Sequence, residues 1–247
     1  MAMALDEESR CTRRTLLRLS ALAGAGLVLG QSGKTLYAAE ATEENEEKEG
    51  KVPERISPVE DLMREHGVLR RVLLIYEAIL RRLPQGEQGF GVEALGESVR
   101  IIRSFIEDYH EQLEEEHLFP LFRKAGKHTG LVDVLEMQHK AGRRVSERIQ
   151  RFSTREAMGK PFERQLLGDS LEEFIRMYRP HAAREDTALF PAFRSVVSPG
   201  DYEALGKTFE EEEQRLFGEH GFERVVGNVA AIEKTLGIYE LSQFTPR

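Results

Sequence analysis

The sequence predicts an all-α protein. Apolar residues recur at three- and four-residue spacing over several long stretches, which is the pattern of helices with one buried face. Two helix-start signals, Ser57-Pro58 and Ser198-Pro199, are each followed by an acidic residue within the first turn. No stretch of useful length alternates between apolar and polar residues as a strand does. Long helices joined by short connections favour an antiparallel up-down four-helix bundle, with additional C-terminal helices.

The composition limits the class of protein further. The 247 residues, with 40% hydrophobic and 32% charged content, are enough for one well-buried globular domain. The one cysteine, Cys11, lies in a predicted leader, so a processed chain would have no disulfide and no thiolate metal ligand. The formal net charge of −8 argues against nucleic acid and against anionic membranes as partners.

The N-terminus has the pattern of an export signal. Paired arginines, Arg13-Arg14, precede an apolar run from Leu19 to Gly30 that is too short to span a bilayer. This arrangement resembles a twin-arginine leader. We therefore expect a signal peptide over residues 1–39, cleavage after Ala39 or Ala41, and a periplasmic protein with no stable membrane span in its mature chain. Removing the leader would change the formal charge from −8 to −10.

The remaining chain is expected to have three parts. Residues 40–56 are rich in glutamate and poor in large apolar side chains, which predicts a solvated acidic linker. Residues 57–197 form the predicted bundle, and residues 198–247 form a helical extension. The expected helices cover residues 58–82, 92–124, 131–152, 161–197, 199–217 and 220–236.

One short pattern occurs twice, 71 residues apart. A His is followed four residues later by Glu and eight residues later by Leu-Phe-Pro, first at His110, Glu114 and Leu118-Phe119-Pro120, then at His181, Glu185 and Leu189-Phe190-Pro191. Side chains four residues apart lie on the same side of an α-helix, so each pair can offer two metal ligands. Ion pairs on a helix surface would have no reason to lie at the same distance from Leu-Phe-Pro in both copies. The repeat therefore indicates two helices that face each other across one buried site.

Single histidines on the other two long helices complete the constellation. His66 lies within the apolar stripe of the first helix, and His139 lies beside that of the third. Each of the four helices thus carries one candidate group. A mixed set of imidazole and carboxylate, without thiolate, favours non-haem iron over zinc or manganese. The candidate ligands are His66, His110, Glu114, His139, His181 and Glu185.

This order of ligands resembles the hemerythrin and HHE cation-binding family over residues 58–197. The resemblance implies an up-down four-helix bundle around a non-haem di-iron centre whose carboxylates bridge the irons. It also implies one of the family's activities: reversible dioxygen binding, sensing of oxygen or iron, or handling of nitric oxide. We therefore expect iron as the cofactor and a small diatomic molecule, dioxygen or nitric oxide, as the ligand.

One departure from the family pattern affects the expected function. Oxygen-carrying members are expected to have a second His four residues after the third-helix His, where this chain has Arg143. Glu111, His117 or His220 could replace the missing ligand, and Asp186 is an alternative to Glu185 as the bridging acid. The resemblance therefore implies binding or sensing of a diatomic ligand, or iron buffering, more than oxygen carriage.

A ferritin-like di-iron oxidase or iron-handling enzyme is the alternative. Its Glu-x-x-His spacing occurs three times, at Glu107 and His110, Glu114 and His117, and Glu136 and His139. This interpretation leaves His66 and His181 without a role and ignores the repeat. No Ser/His/Asp order or phosphate-binding loop is present, so the sequence leaves open whether the protein is an enzyme.

Overall fold

The computed structural model describes residues 56–88 and 91–246. The predicted leader and nearly all of the acidic linker lie outside this part of the chain. Within it the regular structure consists of helices and no strand, which confirms the all-α class. We find no membrane-crossing helix among these residues, since none combines sufficient length with sufficient apolar character.

Both helix-start signals act as expected. Helix α1 (Pro58–Arg82) begins after Ser57, whose hydroxyl accepts a hydrogen bond of 3.3 Å from the backbone N–H of Glu60. A 3₁₀ turn (Leu83–Gln88) follows α1. Ser198 precedes helix α6 (Pro199–Phe217) and accepts from the N–H of Asp201 at 3.2 Å.

The second long helix, α2, spans 92–125 without a break but is not α-helical throughout. It ends at Gly126, whose φ of 65° is readily adopted only without a side chain. Its successive segments are α-helical Val92–Ile101, π-helical Ile102–His110, α-helical Glu111–Leu113, π-helical Glu114–Leu118 and α-helical Phe119–Ala125.

Helix α3 (Thr129–Phe152) is followed by a short helix α4 (Arg155–Gly159), which is not among the helices expected from the sequence. The hydroxyl of Thr154 caps α4 by accepting from the N–H of Ala157 at 3.1 Å, so the short helix has a local cause. Helix α7 (Gly221–Thr235) is followed by a 3₁₀ turn (Leu241–Phe244).

Helix α5 spans 161–193, as α-helical Pro161–Arg184, π-helical Glu185–Leu189 and α-helical Phe190–Phe193. The predicted end at residue 197 is therefore wrong. The N–H groups of Ser195 and Val196 bond to carbonyls three residues back, which ends the α-helical pattern early.

Two of the π-helical stretches occupy equivalent positions in the repeat. In each, the N–H of the repeat Phe bonds to the carbonyl of the repeat Glu five residues before it. Pro120 and Pro191 follow directly, and because proline has no N–H, each removes the bond that an α-helix would form to the carbonyl four residues back. The Leu-Phe-Pro element therefore accounts for the local change in helical geometry next to each Glu.

The four long helices make contact in a ring. Helix α1 packs on α2 and α5, and α3 packs on the same two helices. Helices α6 and α7 pack on α1, and α7 also packs on α2. Arg71 of α1 holds α7 through two hydrogen bonds to Glu233, at 3.0 and 2.6 Å. The buried core is continuous from the four long helices into α6 and α7.

Candidate metal centre

The structure brings all six predicted ligands together inside the four long helices. Each side chain is buried, at 3% exposure or less. These side chains form two overlapping groups. In each group, every residue offers one ligand atom, and these atoms all lie within 4.8 Å of one another. One group is His66, His110 and Glu114, and the other is Glu114, His139, His181 and Glu185.

Each carboxylate lies between two imidazoles from different pairs. We call His66 and His110, whose ring centroids are 4.7 Å apart, the first half, and His139 and His181, 5.0 Å apart, the second half. One oxygen of Glu185 is 3.3 Å from Nε2 of His66, and its other oxygen is 3.1 Å from Nε2 of His181. The oxygens of Glu114 are 3.9 Å from Nε2 of His110 and 3.4 Å from Nε2 of His139. This is the arrangement that two bridging carboxylates require.

Several of these atoms have no hydrogen-bond partner. They are Nε2 of His66 and both carboxylate oxygens of Glu114 and of Glu185, all fully buried. Unpartnered polar atoms in a protein interior are costly and uncommon, and charged ones more so. Cations coordinated between the two halves would satisfy them, so the donor set fits a metal centre.

In each of the four candidate ligand histidines, the Nδ1 atom is hydrogen-bonded to a neighbouring side chain. A Nδ1–H that donates to such a partner fixes the tautomer and leaves the Nε2 lone pair directed into the site, as in many metal centres. The Nδ1 contacts are His66 to Asp186 at 2.7 Å, His110 to Glu65 at 2.6 Å, His139 to Glu115 at 2.9 Å, and His181 to Gln138 at 2.9 Å.

The electrostatics of the protein groups alone are unfavourable for two carboxylates at this site. Burial, together with the nearby charge of Glu185, raises the pKa of Glu114 to about 7. Burial also opposes ionisation of Glu185, but His181 and His66 outweigh it and lower the pKa of that carboxyl. Burial lowers the pKa of His66, yet its bond to Asp186 and the nearby charge of Glu185 dominate and raise that pKa to about 9. Divalent cations would supply the positive charge that the two carboxylates need.

The phenylalanines of the repeat cover the histidines of the other helices. Phe119 stacks on His139 with centroids 5.5 Å apart, and Phe190 stacks on His66 at 5.3 Å. Each Leu-Phe-Pro element thus shields one imidazole from water. This contact explains why the phase between the His/Glu pair and Leu-Phe-Pro is the same in both copies.

The four long helices correspond to each other in two pairs, and the correspondence includes residues beyond the metal-ligand candidates. Helix α2 corresponds to α5 at an offset of 71 residues, and α1 corresponds to α3 at an offset of 73. Arg143 is the counterpart of Arg70. Arg70 binds Asp186, the partner of His66, and Arg143 binds Glu115, the partner of His139, at 2.9 Å. Both arginines therefore hold an acid against an imidazole.

Arg143 also contacts Glu111. Its guanidinium lies 3.1 Å from one oxygen of Glu111, and the Tyr178 hydroxyl donates to the other at 2.6 Å. Glu111 also lies close enough to Glu115 and His139 to form a third ligand group. Because the Arg143 cation already lies against both acids, this group is a poorer place for a metal ion.

The other alternative ligands lie elsewhere. Asp186 faces Nδ1 of His66 and Arg70, while Glu185 faces the interior of the site. His117 is half-buried, with its ring 5.9 Å from Phe209. His220 is exposed at the start of α7, with a φ of 58°. None of these three belongs to a ligand group within residues 56–88 and 91–246.

Sequence reasoning missed three residues that contact the imidazoles: Glu65, Glu115 and Gln138. A signal was present, because Glu65 and Gln138 directly precede His66 and His139. Aligning α1 with α3 at the 73-residue offset would have matched these two residues together with the two arginines. Glu115 is likewise the counterpart of Asp186 at the 71-residue offset.

The fold and the buried His/Glu groups are those of a helical protein whose interior could hold metal ions. Residues 57–193 match the hemerythrin HHE cation binding domain, and the chain belongs to that family. Uncharacterized proteins from Mycobacterium tuberculosis and Mycobacterium bovis are 46% identical to it over 237 residues, which cover 95% of this chain and 91% of each relative. No solved structure matches the chain.

Proposed function

We propose that the protein binds two non-haem irons between the two halves of the site and uses them to bind or sense dioxygen or nitric oxide, or to buffer iron. The observation that carries this proposal is the set of buried, unpartnered ligand atoms on Glu114, Glu185 and His66. We also infer that the ring of four long helices is the up-down bundle of the family, which would place these ligands at its centre.

The residues would have distinct roles in such a centre. The Nε2 atoms of the four histidines would bind iron, and Glu114 and Glu185 would bridge the two ions. The irons would supply open coordination positions for a diatomic ligand. Asp186, Glu65, Glu115 and Gln138 would hold the imidazoles in place, and the stacked phenylalanines would keep water out.

Arg143 supports ligand binding or sensing over oxygen carriage. It occupies the place of an additional imidazole in the carriers, and its guanidinium is engaged by Glu111 and Glu115. A centre with one imidazole fewer would have more positions open to exchange. The ferritin-like alternative has less support, because Glu136, one of the acids it needs, is held by Arg123 and Lys140 away from the buried ligands.

Anaerobic loading with ferrous iron, followed by exposure to nitric oxide or dioxygen, tests the proposed function. We expect about two irons per chain and a change in visible absorbance with either gas. Under repeated cycles of oxygen addition and removal, the spectrum should fail to return fully. Full reversibility over many cycles would instead identify a carrier, and the absence of any change would restrict the function to iron binding.

Export forms a separate part of the proposal, and its support comes from Arg13-Arg14 and the short apolar run. Replacing both arginines by lysine should leave the protein in the cytoplasm, because the twin-arginine route tolerates this change poorly. Fractionation of the producing cells measures the outcome. Arg10→Lys with Arg18→Lys is the matched control and should export normally. Unchanged periplasmic recovery of the first variant would contradict this route.

A further inference from the structure

The corresponding helices α1 and α3 differ in one of the residues that contact the ligand imidazoles. Glu65 precedes His66 on α1 and bonds Nδ1 of His110 at 2.6 Å. Its counterpart on α3 is Gln138, which bonds Nδ1 of His181 at 2.9 Å. The other two Nδ1 atoms have equivalent partners, since each contacts an acid that is held by an arginine. The first half therefore has one more imidazole whose Nδ1 contacts a carboxyl group.

The difference between a carboxylate and an amide matters at this position. A carboxylate that accepts from Nδ1–H makes a charge-assisted bond and draws the proton away from the ring, which makes Nε2 a stronger donor to a metal ion. Glu65 is only 1% exposed, so water competes little for its contact with Nδ1 of His110. Gln138 is neutral and half-buried, so His181 gains orientation from its bond but little additional basicity.

Glu111 does not cancel this difference. It is a buried acid of the second half, and Ala182 stands at its counterpart in the first. Its bonds, however, are to Tyr178 and Arg143, and it makes no hydrogen bond to an imidazole in the part of the chain that is described. Arg143 also offsets its charge. Burial lowers the pKa of His139 and the charge of Glu111 opposes this through space, whereas Glu65 contacts the ring of His110 directly.

We propose that Glu65 is a positioning residue that makes the two metal positions unequal, so that the ion held by His66 and His110 binds more tightly than the ion held by His139 and His181. This inference rests on the proposed di-metal site. Loss of a partner of this kind typically weakens metal binding 10–100-fold, which sets the size of the expected difference at about tenfold or more.

A titration of the metal-free full chain with Co²⁺, followed by visible absorbance against a competing chelator, tests this inference. We expect two binding steps. Glu65→Gln, which keeps the shape of the side chain, should weaken the tighter step about 10–100-fold and merge it with the weaker one. Gln138→Glu should strengthen the weaker binding step, so that its affinity also approaches that of the tighter step. The double variant should show two separated steps again.

The control is the thermal unfolding of each metal-free variant, which should stay close to that of the unmodified chain. Two bound Co²⁺ ions with a step separation unaffected by Glu65→Gln and Gln138→Glu would overturn this inference and leave the di-metal site standing. Equal weakening of both steps by Glu65→Gln would also overturn it, because that result indicates a general structural effect. An unmodified chain that binds neither Co²⁺ nor iron would overturn the proposed function itself.

Discussion

Replacing His181 by alanine is expected to reduce the iron content from about two per chain to one or less. Nε2 of His181 lies 3.1 Å from an oxygen of Glu185, so its loss removes an imidazole and also leaves that carboxylate oxygen without its neighbour. Metal that binds only the folded state stabilises it by about 4 kcal/mol at a thousandfold excess over Kd, or roughly 8–16 °C in Tm for a chain of this size. Metal analysis and thermal unfolding with and without iron measure both effects.

His220→Ala is the matched control for this experiment. His220 is exposed at the start of α7 and lies outside the ligand groups, so its loss should change neither iron content nor the iron-dependent rise in Tm. Metal loss in this variant would show that His220 supplies a ligand after all. A His181→Ala protein that keeps full iron content and full stabilisation would mean that the assigned constellation is wrong.

Replacing Gly142 by alanine should destabilise the protein by about 2–3 kcal/mol, an overpacking cost in a closely packed core. A Cβ at this position would lie 2.0 Å from the Tyr178 hydroxyl oxygen and 2.7 Å from the adjacent ring carbon. Tyr178 is itself 1% exposed and bonded to Glu111, so it has little room to move. Denaturant unfolding of the metal-free protein gives the free energy directly.

Gly67→Ala provides the contrast, because nothing lies within 4 Å of an added Cβ there. It should stabilise α1 by about 0.5–1 kcal/mol through helix propensity. In a Tyr178→Phe background, the cost of Gly142→Ala should fall because the closest atom is gone. Equal free energies for the two glycine variants would contradict the close approach of Tyr178 to α3.

The regular features of the fold followed from local chemistry. Ser57 and Ser198 cap their helices as the sequence predicts, and α1 has the predicted bounds. The convergence of the repeat residues, here His110 and His181, was also foreseeable, because a repeated phase relative to Leu-Phe-Pro has a physical cause in ring stacking. Their binding of iron stays a prediction.

Other features depended on contacts between distant parts of the chain. The role of Arg143 could not be read from its position, since its partners Glu111 and Glu115 lie on another helix. Pairings of this kind become visible only once the relative rotation of the helices is fixed.

The burial of all six candidate ligands bears on how fast the site exchanges its contents. A hydrated divalent cation is too large and too strongly solvated to cross the packed helices, so its exchange requires them to open, on the timescale of local unfolding. A neutral diatomic molecule needs only small side-chain fluctuations, which are many orders of magnitude faster. Metal would therefore enter and leave the folded chain slowly, through such openings, whereas gases could equilibrate quickly throughout the life of the protein.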